Sequence, residues 1–340
     1  MLFAVAITTA IYLGRFIPGD ILEYKGVEVW KQADRTAKCY DWFEQYLEKN
    51  YDRNKDYSEG IFLGNFSMSL SEATEKKYEY IFDKLQLKAG MRVLDAGCGT
   101  GKWMKYLKDR GVDAVGMTLS EEQAKIVRQK DLDVRVADYR VKNEEFLGSF
   151  DRITALGSSE HVCTSLGYLD GKTTERCNQT RIDTWKLFKE YLKPNGKLYI
   201  TVLTKNDNRA WSNWDYLQSY VLERHYGGFY SSMDDIANEV VPKTGFRLTD
   251  LQDKTQDYHW SSVRDPDHFG HWTVKWAEDR HAKVNHLIND IFLDAHIAHR
   301  WGYYALDTWM WQFGGYQDTP LTDEQVKNAP VQLKYFMLEN

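Results

Sequence analysis

A chain of 340 residues, 43% of them hydrophobic, is long enough to bury a substantial core, either as one large domain or as a core with an elaborated cap. Its formal net charge of −6 argues against the broad basic surface that nucleic-acid binding requires. The cysteines Cys39, Cys98, Cys163 and Cys177 form no C-x-x-C pair, which suits a reducing, cytoplasmic setting rather than a disulfide framework.

Residues 1–14, MLFAVAITTAIYLG, carry no charge and are followed by Arg15. The run is shorter than the roughly 20 apolar residues of a spanning helix and lacks the basic start of a secretory signal. It reads as a helix packed on the body, with a peripheral membrane contact as the alternative. Residues 27–54 are helical in pattern and rich in Trp, Tyr and charge, as expected of a lid. A clearer helix follows over 71–85, with Tyr78, Ile81, Phe82 and Leu85 on one face, and Gly90 stops it.

From there the pattern alternates. Strands are expected at 91–95, 113–117, 133–137, 150–155 and 197–203, with helices from about Lys102 to Lys108, at 121–129 and at 180–192, the last closed by Pro194-Asn195-Gly196. Such alternation reads as an α/β, doubly wound (Rossmann-like), mostly parallel sheet, whose ligands sit beyond the carboxyl ends of the strands. With strand six at 246–252 and a last strand at 331–338 returning to the sheet edge, the sheet has seven strands. The segment 204–245, with Trp211, Trp214, Tyr216, Tyr220, Tyr226, Phe229 and Tyr230, reads as an inserted aromatic cap with a helix at 233–241 near its end. Two helices are expected over 271–313; their His281, His286, His296 and His299 do not repeat a ligand spacing, so no metal is expected. The division is a lid (1–70), a cofactor-binding core (71–204), a cap (205–245) and a completing segment (246–340).

The core is organised around Val93-Leu94-Asp95-Ala96-Gly97-Cys98-Gly99-Thr100-Gly101. A buried strand ends at Asp95, and the alternate glycines Gly97, Gly99 and Gly101 remove the Cβ atoms that would keep a nucleotide-like ligand off the backbone. The G-C-G-T-G spacing departs from the dinucleotide fingerprint and favours a cofactor without a pyrophosphate. The other strand ends bring Thr118 and Ser120, then Asp138 and Tyr139, then Ser158, Ser159, Glu160 and His161. That set suits a nucleoside with a charged tail, with a carboxylate for an adenine amino group and an aromatic face for the ring. Ser120 and Gln123 fit a helix capping box equally well.

These segments, together with Gly116–Gln123, Asp138-Tyr139-Arg140, Phe150-Asp151-Arg152-Ile153 and Glu160-His161-Val162, resemble class I S-adenosylmethionine-dependent methyltransferases. The chain is most similar to the cyclopropane-fatty-acid-synthase-like branch, which includes mycolic acid methyltransferases, sphingolipid C-methyltransferases and plant alkaloid N-methyltransferases. The resemblance implies that S-adenosyl-L-methionine lies with its methionine end on Gly97 and Gly99, its ribose near Thr118, Leu119 and Gln123, and its adenine between Asp138 and Tyr139. It also implies closure over the cofactor by Tyr57 and Ser58. On the acceptor side Glu160 matches the family's Glu and Tyr304 its Tyr, but Glu59, Thr201 and Leu203 stand where the bicarbonate site has Cys, His and Ile. A second carboxylate would repel bicarbonate. The expected catalytic set is therefore Glu160, His161, Tyr304 and Glu59, with an amine nitrogen of a small molecule as acceptor. A lipid acyl chain is the alternative acceptor, and a non-catalytic cofactor-binding partner the alternative of another class.

Overall fold

The computed structural model describes residues 36–37, 40–41, 44–45, 58–163, 172–226, 228–264, 310–315 and 317–340. The expectations for residues 1–14, for most of the lid at 27–54, for Tyr57, for the helices between 271 and 309 with their four histidines, and for Tyr304 lie outside these residues.

Helix α1 (Leu70–Lys84) starts at a reciprocal cap: Ser69 accepts from the Glu72 amide, and Glu72 accepts from the Ser69 amide and hydroxyl. Then follow β1 (Arg92–Ala96), α2 (Lys102–Lys108), β2 (Asp113–Thr118), α3 (Glu121–Gln129), β3 (Asp133–Val136) and β4 (Phe150–Leu156), close to the expected bounds. Helix α4 (Thr173–Tyr191) begins two turns earlier than expected, and β5 (Leu192–Lys205) follows without a loop. Pro194-Asn195-Gly196 does not close the helix. It forms an irregularity at the start of β5, where the pairing jumps from Phe150↔Leu192 to Arg152↔Lys197 and Asn195 takes a φ of 63°.

Helix α5 (Asn213–Tyr226) and a broken helical run precede β6 (Arg247–Asp253), α6 (Thr255–Arg264) and β7 (Val331–Glu339). The broken run is α-helical at Met233–Asp235, makes a π turn at Ile236–Val240 and ends as Val241–Thr244, so the expected helix at 233–241 is longer and not uniform. Pro242 sits in the first turn of its last piece, where no intrahelical amide is required.

The sheet has seven strands in the order β3-β2-β1-β4-β5-β7-β6, with β7 antiparallel to both neighbours and the other pairs parallel. The last strand does not return to the edge. Nearly every residue of β7 is buried, so it needs partners on both sides, whereas the polar, half-exposed RLTDLQD of β6 tolerates an open flank. Alternate residues feed two cores: Val93, Tyr199 and Tyr335 join Tyr78, Trp103 and Leu333 in one, while Leu94, Leu198 and Phe336 join Trp185 and Phe188 in the other. Both faces being covered explains why β1 and β5 read as apolar runs.

One expectation about chemistry is overturned. Cys163 and Cys177 form a disulfide, their Cα atoms 5.3 Å apart across a sequence separation of 14. The expectation of no disulfide rested on the lack of a C-x-x-C pair, but Cys163, just past the turn that follows β4, meets Cys177 on α4. Cys98 remains a buried thiol, pushed well above its ordinary value by burial.

Candidate functional site

The carboxyl ends of β1 to β5 converge on a cavity of about 220 Å³. The predicted residues Ser58, Glu59, Asp95, Gly97, Gly99, Thr118, Leu119, Gln123, Asp138, Tyr139, Glu160 and His161 all line it. Gly101 does not. It begins α2 in the left-handed conformation with φ 76°, and a Cβ there would lie 3.0 Å from Val127, so this glycine serves the turn and its packing.

The first two glycines differ in their surroundings. A Cβ on Gly97 would lie 2.4 Å from the Ser158 Cβ, so β1 and β4 can approach only over a bare backbone. Gly99, with φ 52°, has nothing within 4 Å of its missing Cβ and leaves the cavity wall open. The loop itself is secured by the Gly97 and Cys98 amides, which both donate to the Met117 carbonyl at 2.9 Å. Asp95 is held from behind, as Thr154 donates to its Oδ1 at 2.9 Å and Trp103 Nε1 donates to Thr154 at 3.2 Å.

At the end of β2, Ser120 caps α3 by accepting from the Gln123 amide at 3.0 Å. The reciprocal half of a capping box is absent: the Ser120 amide donates to Thr118 Oγ1, and the Gln123 side chain meets Thr118 Oγ1 at 2.7 Å and donates to Glu44 at 3.2 Å. A few residues of the segment 36–45 are described. Thr36 and Tyr40 line the cavity, and Asp41 accepts from the Ser120 hydroxyl at 2.6 Å and the Glu122 amide at 3.2 Å. At the end of β3, Asp138 is bound through both carboxylate oxygens by Arg140, whose Nη1 also donates to the Val162 carbonyl. An adenine amino group at Asp138 must therefore share the carboxylate with Arg140. Tyr139 donates to the Ser158 carbonyl at 2.8 Å and packs on Phe188, and burial pushes its hydroxyl upward.

Glu160 sits in a short 3₁₀ turn, Ser159–Val162, held from several sides. The Phe229 amide donates to the Glu160 carbonyl at 2.9 Å, Arg181 Nη2 to the Ser159 carbonyl at 3.2 Å, and the disulfide ties Cys163 to α4. The Glu160 Oε2 has no hydrogen-bond partner among the described residues. Burial raises this carboxyl to about 7, with the charge of Glu59 adding to the shift, while its own backbone and the Arg181 guanidinium oppose it. The fully buried Arg181 is itself lowered to about 10 by burial. Glu59 is buried and accepts a hydrogen bond from the Tyr335 hydroxyl. Tyr40 and His161 Nε2 are hydrogen bonded at 3.0 Å.

Thr201 accepts from the Gly157 amide at 2.8 Å and is absent from the cavity wall, whereas Leu203 is part of it. The cap divides. Leu222, Phe229 and Tyr230 line the cavity, Trp211 packs on Trp311 with ring centroids 5.5 Å apart, and Trp214 is 55% exposed. Sequence reasoning missed Lys77, Arg140 and Arg181. For Lys77 and Arg181 a signal existed: Ala73-Lys77-Ile81 and Cys177-Arg181-Trp185 place a cation on an otherwise buried helix stripe, where charge is costly unless it is used. Among the described residues no group of three or more His, Cys, Asp or Glu is placed to hold a metal, and no helix is long and apolar enough to cross a membrane.

Comparisons with known proteins speak to the family and the fold. A probable fatty acid methyltransferase of Mycobacterium tuberculosis is 33% identical over 195 residues, which take in 54% of this chain and 40% of that protein; the chain thus spans less than half the length of this relative. In fold it is similar to a cyclopropane synthase of Mycobacterium tuberculosis, with a TM-score of 0.64 and 21% identity over 92% of this chain and 100% of the other. It is also similar to a mycolic acid cyclopropane synthase solved with SAH and CTAB, with a TM-score of 0.62 and 20% identity over the same shares. The profile described as mycolic acid cyclopropane synthetase matches residues 28–308, and the chain belongs to that family.

Proposed function

We propose that the protein is an S-adenosylmethionine-dependent methyltransferase that transfers a methyl group in line to an amine nitrogen of a small molecule, with Glu160 as proton acceptor. The observation that carries this reading is the buried Glu160 carboxyl, raised to about 7, whose Oε2 has no hydrogen-bond partner among the described residues. A group of that affinity takes and returns a proton near neutral pH.

The residues present fit the cofactor. Gly99 leaves open space where a side chain would stand, and Asp95, Thr118, Gln123, Asp138 and Tyr139 offer polar and aromatic groups along one wall. Gly97, Gly99 and Ser58 would hold the amino-acid end, Thr118, Leu119 and Gln123 the ribose, and Asp138 and Tyr139 the adenine; Tyr57 would close over it. When bound, S-adenosylmethionine supplies an electrophilic methyl group on a sulfonium. An amine arrives protonated and is attracted by the two carboxylates of Glu59 and Glu160. Glu160 takes the proton, which exposes the lone pair, and His161 stands beside it as a second proton-handling group. Tyr78, Trp103, Phe229, Tyr230 and Tyr258 line the cavity and offer ring faces to a methylated cation. Most of the acceleration is expected from holding donor and acceptor together, worth on the order of 7–11 kcal/mol; base catalysis adds less, a factor of about 10² to 10⁴.

A second reading is favoured by the family and by Leu156, Leu203, Leu222 and Leu333 in the same wall: an unsaturated lipid acyl chain as acceptor, with Glu160 taking the proton released after methyl transfer. Bicarbonate fits poorly in either reading, because Glu59 puts a second carboxylate in the cavity wall and Thr201 supplies no imidazole. Methyl-labelled S-adenosylmethionine incubated separately with amine and phospholipid pools tests both. Label in a basic small molecule supports the amine, label in the lipid extract replaces it with the acyl chain, and binding without transfer refutes catalysis.

A further inference from the structure

The cavity wall is rich in carboxylates, with Asp95, Glu59, Asp138 and Glu160 all lining it. A ligand that carries its own carboxylate enters such a wall only against a matching cation. Among the described residues three Lys or Arg side chains line the cavity: Lys77, Lys102 and Arg140. Arg140 is committed to both oxygens of Asp138 and to the Val162 carbonyl. Lys102 is the partly exposed first residue of α2. Lys77 is 1% exposed, and its ammonium donates to the Ser58 hydroxyl and lies 4.9 Å from the centre of the Tyr78 ring.

The fold places this lysine deliberately close to Ser58. A Cβ on Gly60 would lie 2.5 Å from the Ala73 Cβ, and the Ile61 amide donates to the Ala73 carbonyl at 2.8 Å, so the segment carrying Ser58 and Glu59 lies directly on α1. Lys77 is one helical turn beyond Ala73 on the same face. Tyr78 beside it packs on Trp103 at 5.4 Å between ring centroids, which fixes α1 against the helix that leaves the glycine loop.

We propose that Lys77, paired with Ser58, is the counter-charge that recognises the amino-acid carboxylate of the cofactor and makes the site selective for a nucleoside bearing that carboxylate. This rests on the cofactor reading above and goes beyond it by assigning the charge selectivity to a residue on α1. A charge-assisted bond of this kind is worth about 10- to 100-fold in affinity.

The test compares S-adenosylmethionine with decarboxylated S-adenosylmethionine, which lacks only that carboxylate, by calorimetry on the full chain. Wild-type protein is expected to prefer S-adenosylmethionine by about 10- to 100-fold. Lys77→Met should erase most of that preference by weakening S-adenosylmethionine while leaving the decarboxylated compound within about threefold, and Lys77→Arg should retain part of it. An equal loss for both ligands in Lys77→Met, or an unchanged preference, overturns the assignment while leaving the cofactor reading intact. A wild-type protein that binds both equally overturns it without any variant. Wild-type protein that binds neither refutes the cofactor reading itself.

Discussion

The two ends of the cavity are built in opposite ways. At the glycine loop the shape is made by backbone: Gly97 and Cys98 donate to Met117, Thr154 braces Asp95, and a missing side chain at Gly99 leaves the opening. At Glu160 the backbone is clamped by Phe229 and Arg181, yet the Oε2 has no hydrogen-bond partner among the described residues. In the proposed mechanism the first arrangement lowers the cost of binding by preorganisation, and the second keeps a costly buried group where a proton would move.

Substitution in the loop should produce the largest effect and separate its two glycines. Gly99→Val projects into the opening and should abolish cofactor binding by calorimetry, at a stability cost of about 1–3 kcal/mol from holding a β-branched residue at φ 52°. Gly97→Ala should also cost stability, on the order of 2–4 kcal/mol in denaturant unfolding, because the new Cβ meets Ser158 at 2.4 Å with φ at 90°. If Gly99→Val binds normally, the contrast between the ends collapses.

Glu160→Gln should lower turnover about 10²- to 10⁴-fold while cofactor affinity stays within about threefold. Equal activity in this variant removes Glu160 from the chemistry. The same group sharpens the comparison through pH. Its folded affinity of about 7 lies above its ordinary 4.5, so the folded state holds this proton more tightly than the unfolded chain. The associated stability is fully present below about pH 4.5 and is lost as pH rises through about 7, on the order of 3 kcal/mol in all. Wild-type protein should lose stability relative to Glu160→Gln between pH 5 and 8, whereas its activity should rise as Glu160 ionises. Parallel stability curves for the two proteins would show that the carboxyl titrates normally.

The smallest effect belongs to Asp41. Asp41→Ala removes an acceptor from the Ser120 hydroxyl and the Glu122 amide, and should weaken cofactor binding by about two- to tenfold with unchanged dependence on Glu160. A turnover defect without a binding defect would assign Asp41 to the Glu160 end.

The strands β1 to β4, the glycine loop and α3 were legible because each writes its geometry locally: an apolar run, a turn residue, a cap. The antiparallel β7 misled for the opposite reason. A strand's alternation and length say nothing of which neighbours it takes, and only the burial of both its flanks puts it between β5 and β6. Ser120 shows the limit at the scale of one side chain, since its cap was readable but its bond to Asp41 joins segments far apart in the chain.

The amino-acid sequence by itself determined the sheet class, the cofactor-like loop and the identities of Glu59 and Glu160, because periodicity and spacing act between near neighbours. Tertiary structure alone decided that Cys163 meets Cys177, that Arg140 ties Asp138 to the Val162 carbonyl, and that Lys77 stands beside Ser58. It also decided that Glu160 is buried enough to hold a proton near neutral pH. Burial, long-range pairing and electric field are properties of what surrounds a residue, and those surroundings come into being only when distant segments pack.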